Sequence, residues 1–154
     1  PFKTVKMMND IVLNAEQHRE DRTNNYFITP DNLQENLFDS VGKAIVEISK
    51  QINAQAIVVF TFEGRTARII SKYKPESKII AISNSFATMN NLCLRWGVTS
   101  VYREKIDKEH LAIDDAKELL LSSGLAQKGD LIIFTAGAPY SEKSRANWLR
   151  FEVM

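Results

Sequence analysis

The chain has 154 residues, of which 44% are hydrophobic and 25% are charged, proportions typical of one soluble globular domain with a substantial core. Its 20 basic and 19 acidic side chains leave a net charge of +1, so charge gives no reason to expect a nucleic-acid or membrane partner. The single cysteine excludes an internal disulfide and no apolar run approaches the roughly 20 residues that span a bilayer, so we expect a cytoplasmic domain.

The first predicted element is an amphipathic helix near the N-terminus. Apolar residues recur there at three- and four-residue intervals, at Val5, Met8, Val12 and Ala15. Because the chain begins at Pro1 without an initiator methionine, we expect a segment of a longer protein. In this interpretation residues 1–28 form a helix and linker that leave a neighbouring domain. A trimmed or processed small protein is the alternative.

The second predicted helix follows the polar linker at residues 20–32. Thr29-Pro30-Asp31 is typical of a helix start, with a hydroxyl cap, a proline in the first turn and an acid that complements the helix dipole. We expect Gly42 to lie at a close packing contact within this helix. The helix should pack broadly through a stripe formed by Leu33, Leu37, Val41, Ala44, Ile48 and Ile52.

From Ala54 onward, short strands alternate with helices. A continuous β-branched run at residues 56–61 predicts a central parallel strand that is covered on both faces. Further short strands are predicted at residues 78–83, 98–104 and 130–137. Helical patterns lie between them at residues 66–73, 86–96 and 113–125. A last strand at 147–154 follows a loop too short for a crossover helix, so it should pair antiparallel. The predicted fold is a three-layer α/β/α sandwich with a mostly parallel five-stranded sheet and an antiparallel edge strand, spanning residues 29–154.

The sequence contains few candidates for catalysis. His18 and His110 lack a Cys or His at metal-ligand spacing, so we interpret both as solvated surface residues. Cys93 lies in an apolar helical pattern and is predicted to be a small core residue. Asp114 and Asp115 are predicted to open a helix, where its dipole favours acids. We predict no catalytic and no metal-binding residue in this chain.

Candidate ligand-binding loops follow the strands at their carboxyl ends, where open α/β sheets bind ligands. The loop TFEGRT at residues 61–66 combines hydroxyls, a glycine, an arginine and helix-start amides, which suit a phosphate, although plain turns use the same residues. The segment SNS at 83–85 is interpreted as an ordinary helix cap. A third loop begins with TAGAP at 135–139 and continues as a polar run to Asn147.

The order of these motifs resembles the C-terminal domain of pyruvate kinase. The matching segments are AIVVFTFEGRTARIISKYKP, KIIAISN, LRWGV and GDLIIFTAGAP, followed by Asn147. Residues 1–16 are similar to the segment that leaves the family's catalytic barrel. The resemblance implies a glycolytic parent that transfers a phosphoryl group from phosphoenolpyruvate to ADP, with magnesium and potassium in its barrel. Because such a barrel alone needs about 250 residues, we expect this chain to lack cofactors and to be inactive alone.

The resemblance also implies a regulatory and assembly role. The expected partners are a phosphorylated effector, either a sugar phosphate or a nucleotide monophosphate, and further copies of the protein in a homotetramer. The edge strand at 147–154 would contribute to this self-association. The implied effector-binding residues are Thr61, Gly64, Arg65, Thr66, Thr135, Gly137, Lys143, Arg145 and Asn147.

Phe62 and Glu63 depart from the family pattern, which has small, polar or basic residues at these positions. Because a carboxylate close to a phosphate repels it, we expect a pocket of the right shape with weakened or altered effector preference. The alternatives are a free-standing phosphometabolite-binding protein of the same fold and a purely structural assembly domain.

Overall fold

The computed structural model describes residues 1–17, 33–104, 109–137 and 146–154, with side chains from residue 112 onward in the third range. Its helices are α1 (Phe2–Gln17), α2 (Leu33–Gln51), α3 (Arg65–Lys72), α4 (Phe86–Leu92) and α5 (Glu109–Ser122). Its strands are β1 (Ala56–Phe60), β2 (Lys78–Ser83), β3 (Val98–Tyr102), β4 (Leu131–Ala136) and β5 (Trp148–Val153). All of these elements are predicted by the sequence, and the strand boundaries agree closely.

The strands form one sheet in the order β3-β2-β1-β4-β5. β1 pairs in parallel with both β2 and β4, and β2 pairs in parallel with β3. β5 pairs antiparallel with β4, in a register that places Trp148 opposite Ala136 and Val153 opposite Leu131. The predicted mixed sheet with an antiparallel edge strand is confirmed.

The core consists of two apolar clusters, one on each face of the sheet. Side chains of β1 alternate between them: Ile57 and Val59 belong to one cluster, and Val58 and Phe60 to the other. Helices α2, α3 and α4 contribute to the first cluster, whereas α5 contributes to the second. Since β1 is central and covered on both faces, all five of its residues are buried. The predicted three layers are therefore confirmed.

The buried face of α2 agrees with the predicted stripe in part. Val41, Ile48 and Ile52 pack against the first cluster as predicted. Ile45 and Gly42 are buried, but Leu33 is 84% exposed, Leu37 is 59% exposed and Ala44 is exposed. The helix turns Gly42 toward α3, where a Cβ added to it would lie 2.2 Å from the Cγ2 atom of Ile69. The predicted close contact at Gly42 is thus confirmed.

The prediction that Cys93 is a core residue is wrong. Helix α4 ends at Leu92, which is buried, whereas Cys93 follows it and is exposed. Its sulfur lies 3.4 Å from the hydroxyl of Ser100. The predicted helix at 86–96 is too long, because the chain turns after Leu92 to enter β3.

The placement of Asp114 and Asp115 at a helix start is also wrong. Helix α5 begins at Glu109, so both acids lie beyond its first turn, and both are exposed. His18 and the side chain of His110 lie outside the described residues.

Helix α1 confirms the first predicted element. All of its residues are exposed, and the indole of Trp96 donates a 3.1 Å hydrogen bond to Oε1 of Glu16 near its end. The boundary placed after residue 28 and the cap at residues 29–31 lie outside the described residues, so both stay predictions. Across the described ranges, no helix is both long and apolar enough to cross a membrane.

Candidate functional site

The loop between β1 and α3 is a tight turn closed by its own residues. The Thr61 hydroxyl oxygen accepts a 2.9 Å hydrogen bond from the Gly64 amide. Gly64 has a φ of 75°, in the left-handed region that favours glycine, and it directly precedes α3. A Cβ there would also lie 3.2 Å from Thr88 Cγ2 and 3.1 Å from a Leu92 methyl group. This turn therefore depends on glycine for both backbone conformation and space.

Helix α4 holds the same loop from its other side. The Thr88 hydroxyl donates a 2.8 Å hydrogen bond to the Phe62 carbonyl. The Ser85 side chain in turn accepts a hydrogen bond from the Thr88 amide at 3.2 Å. The predicted role of residues 83–85 as a helix cap is confirmed, and the cap also anchors the loop that precedes α3.

Glu63 and Arg65 form an ion pair across the glycine of this loop. Arg65 Nε lies 2.5 Å from Glu63 Oε2, and the two side chains are 44% and 37% exposed. Arg65, a predicted effector-binding residue, therefore already has an anionic partner. Thr66, the next residue of α3, is buried, with 8% of its surface exposed. The sequence marks Glu63 as a departure from the family pattern but does not predict its pairing with Arg65.

The second candidate loop leaves β4 and returns at β5. The Thr135 hydroxyl, which is fully buried, donates a 2.9 Å hydrogen bond to the Trp148 carbonyl. The backbone amide of Asn147 donates a 3.0 Å hydrogen bond to the Ala136 carbonyl. Gly137 directly follows β4 and is buried. These contacts join β4 to β5, so Thr135 has a structural role that its sequence position did not reveal.

The structure brings the described parts of both loops to one edge of the sheet. Thr135 lies in register with Val59 on the neighbouring strand, just before Thr61. Ala146, at the end of the second loop, lines the same groove as Arg65 and Thr66. Lys143 and Arg145 lie outside the described residues, so their predicted role as effector-binding cations stays a prediction.

Asn84 is a further polar residue at this edge, immediately after β2. Its Oδ1 atom is buried and has no hydrogen-bond partner among the described residues. Such atoms are uncommon in folded proteins. The sequence pattern predicts only a helix cap at residues 83–85, although a polar side chain at the carboxyl end of an interior strand could have indicated Asn84.

A groove of about 490 Å³ lies between α2 and α3, and we refer to it as the α2–α3 groove. It begins at Arg65 and Thr66 and extends along α3 to Lys72. Its other lining residues are Glu35, Phe38, Asp39, Val41, Gly42, Arg68, Ile69 and Ala146. The volume lies within the usual range for small-molecule sites.

Asp39 connects the two helices beside this groove. Its Oδ1 accepts a 2.8 Å hydrogen bond from Lys72, and its Oδ2 accepts one from the Tyr73 hydroxyl. Burial raises the pKa of Asp39, but the hydrogen bonds from Lys72 and Tyr73 outweigh it and leave the pKa below its ordinary value. Burial and the hydrogen bond to Asp39 raise the pKa of Tyr73. The carboxylate is therefore ionised and fixed at neutral pH.

Comparison with known proteins identifies the family. The family profile described as "Pyruvate kinase, alpha/beta domain" matches residues 39–151. The chain belongs to the pyruvate kinase alpha/beta-domain family. This assignment confirms the resemblance inferred from the loop and strand motifs.

Relatives of the pyruvate kinase family match the whole chain. It is 30% identical over 154 residues to a pyruvate kinase of Geobacillus stearothermophilus, with 100% of this chain and 26% of the relative covered. It is 32% identical over 160 aligned residues to that of Staphylococcus epidermidis, with the same coverage. The chain therefore spans about a quarter of the length of these relatives.

A solved structure supports the same fold. The chain is similar to Cryptosporidium parvum pyruvate kinase in complex with ADP, with a TM-score of 0.70 and 26% identity. The match covers 82% of this chain and 25% of that protein. The likeness agrees with the mixed sheet and its antiparallel edge strand.

Proposed function

We propose that this chain is the effector-binding and assembly domain of a pyruvate kinase. The proposal rests chiefly on one observation: the described residues that resemble the family's effector-phosphate residues follow or end neighbouring strands at the same carboxyl edge of the sheet. The complete parent would transfer a phosphoryl group from phosphoenolpyruvate to ADP in the cytoplasm. Its magnesium and potassium would bind in the barrel, outside this chain.

The phosphate of an effector would bind at the start of α3. Backbone amides at the start of α3 and the Arg65 side chain would contact it, with Thr66 beside them. The effector would be a sugar phosphate or a nucleotide monophosphate. Because Glu63 already pairs with Arg65, a phosphate must displace that carboxylate, and we expect weak binding.

Calorimetry on the purified chain tests this role. Titration with a sugar bisphosphate and with a nucleoside monophosphate should give saturable binding of at least one, with dissociation constants above about 100 μM. The Thr66→Val variant, which replaces the hydroxyl with a methyl group of similar size, should weaken this binding further. Tight binding of a sugar bisphosphate would contradict the expected weakening, and absence of any phosphate binding would contradict the effector role.

The assembly role rests on exposed apolar surface. On β5, Phe151 is 48% exposed and Val153 is 64% exposed, at an edge of the sheet. On α1, Phe2 is 80% exposed and Met8 is 61% exposed. Natural proteins usually cover or pair such edges and faces. We propose that β5 pairs with β5 of a second copy about a two-fold axis.

The chain alone should not produce pyruvate. The chain spans about a quarter of the length of its relatives, and the proposed barrel lies outside it. An assay of the purified chain with phosphoenolpyruvate, ADP, magnesium and potassium should give no turnover above the buffer rate. Robust turnover would place catalytic residues within this chain and overturn the division of roles.

A purely structural assembly domain is the second candidate function. The observation that favours it is the Glu63–Arg65 ion pair, which satisfies the loop's arginine without a ligand. The two candidates differ in the calorimetric titration, since a structural domain would associate but would bind no phosphate compound.

A further inference from the structure

The α2–α3 groove combines an apolar surface with charged groups from both helices. Phe38, Val41 and Ile69 line it and are half-buried. Gly42 adds no side chain of its own, so Ile69 packs directly against the backbone of α2. The groove thus offers space and apolar contact for a small organic molecule.

The cations of the groove differ in their partners. Arg65 is paired with Glu63, and Lys72 is paired with Asp39. Arg68 also lines the groove and is exposed, and among the described residues no ion pair or side-chain hydrogen bond involves it. Its guanidinium is therefore available to an anion.

The acids of the groove limit the charge of that anion. Glu35 and Asp39 line the same space as Arg68. Because Asp39 is already paired with Lys72, the charges left outside the ion pairs among the described lining residues are those of Arg68 and Glu35. A dianionic phosphate ester would therefore gain a single unpaired cation while facing the Glu35 carboxylate. A carboxylate carries one charge and matches the planar fork of a guanidinium with two parallel hydrogen bonds.

We propose that the α2–α3 groove binds a small monocarboxylate with an aliphatic body. The ligand carboxylate pairs with Arg68, and its body contacts Phe38 and Ile69. The groove extends along α3 from Arg65 to Lys72, a distance of about 10 Å at 1.5 Å per helical residue, so this site reaches well beyond the candidate phosphate loop. The proposal does not depend on the effector role of that loop.

Isocaproate is a suitable probe, and isocaproamide is its neutral counterpart. Nuclear magnetic resonance on the isotope-labelled full chain follows the amide signals of Gly42 and Ile69 during titration. Isocaproate should shift them saturably, with a dissociation constant on the order of 1 mM. Isocaproamide should bind at least about tenfold more weakly, because it lacks the charge-assisted pair with Arg68.

The Arg68→Gln variant should weaken isocaproate binding about tenfold or more. The matched control is Arg95→Gln, which alters an exposed arginine outside the groove and should bind like the unaltered chain. Circular dichroism of both variants checks their folding. Equal binding of acid and amide, unchanged binding by Arg68→Gln, or the absence of saturable shifts would each overturn the proposal. If inorganic phosphate shifted the Gly42 and Ile69 signals with a lower dissociation constant than isocaproate, the assignment of a carboxylate ligand would be overturned.

Discussion

The hydroxyl of Tyr73 donates a 2.5 Å hydrogen bond to Oδ2 of Asp39 and thereby joins the end of α3 to α2. Lys72 binds the other oxygen of the same carboxylate at 2.8 Å. Both donors follow the last buried residues of α3, and the acceptor lies on a helix that precedes β1. The contact therefore fixes the two helices that form the α2–α3 groove.

Loss of the Tyr73 hydroxyl should destabilise the fold. We expect Tyr73→Phe to lower the free energy of unfolding by about 1–2 kcal/mol, because Asp39 loses a charge-assisted hydrogen bond. Urea denaturation measures this change. The control is Tyr102→Phe, in a ring that stacks on Phe86 at a centroid distance of 4.0 Å, which should change stability by less than about 0.5 kcal/mol. Equal effects of the two substitutions would contradict the role of the Tyr73–Asp39 bond.

The lowered pKa of Asp39 predicts an acid-dependent loss of stability. A carboxyl group whose folded pKa lies below its unfolded value of about 3.9 stabilises the fold above that pH and loses the contribution as the pH falls. The free energy of unfolding should therefore fall more steeply between about pH 5 and pH 2 for the unaltered chain than for Asp39→Asn. The free energy of unfolding of Asp39→Asn should still decrease somewhat as the pH falls, because hydrogen bonds from Lys117 and Arg150 also lower the pKa of Glu152. Parallel stability curves would refute the assignment to Asp39.

The close approach of α2 and α3 at Gly42 predicts a specific packing defect. Gly42→Ala should destabilise the fold by about 1–3 kcal/mol, because the new methyl group overlaps the Cγ2 methyl of Ile69. Ile69→Leu removes that branch, so the double variant should recover part of the loss. Thermal unfolding of both single variants and the double variant gives the coupling energy. Strict additivity would show that the two positions do not interact.

The sheet was predictable from sequence because its central strands are continuous apolar runs. Burial on both faces requires such runs in β1 and β2, and the short connection before β5 requires antiparallel pairing. The buried face of α2 was predictable only in part: Val41, Ile48 and Ile52 pack against the core as expected, whereas Leu33, Leu37 and Ala44 are exposed. Apolar residues occur around much of that helix, and which of them are buried depends in part on the fit of Gly42 against Ile69, which is a tertiary contact.

The candidate site was predictable in part for similar reasons. The positions of Thr61, Gly64 and Arg65 follow from their place after a central strand. The pairing of Glu63 with Arg65 depends on the left-handed backbone at the intervening Gly64, whose φ is 75°. Likewise, the Thr135 hydroxyl binds the Trp148 carbonyl only because β5 returns beside β4. Sequence motifs indicate which groups meet but not which of them already have partners.

Removal of the Glu63 charge should strengthen phosphate binding. In Glu63→Gln the arginine loses its ion-pair partner and the repulsion from the carboxylate disappears, so affinity for a sugar bisphosphate should rise about tenfold. Calorimetry measures the change. Glu76→Gln, which alters an exposed glutamate outside the loop, should leave affinity unchanged and serves as the control. Unaltered affinity in Glu63→Gln would mean that Glu63 does not compete with the ligand.

The edge strand β5 provides the test of self-association. Phe151 and Val153 are exposed there, whereas Glu152 is held by Lys117 of α5 and by Arg150. A charge on an exposed strand edge opposes pairing with another chain, so Phe151→Lys should shift a dimer toward the monomer by about tenfold in dissociation constant or more. The control is Leu94→Lys, at a residue that is 88% exposed and lies outside β5. Light scattering over a concentration series measures the masses. A dimer that persists in Phe151→Lys but dissociates in Leu94→Lys would show that the interface lies outside β5. A monomer at every concentration would show that this chain does not associate by itself.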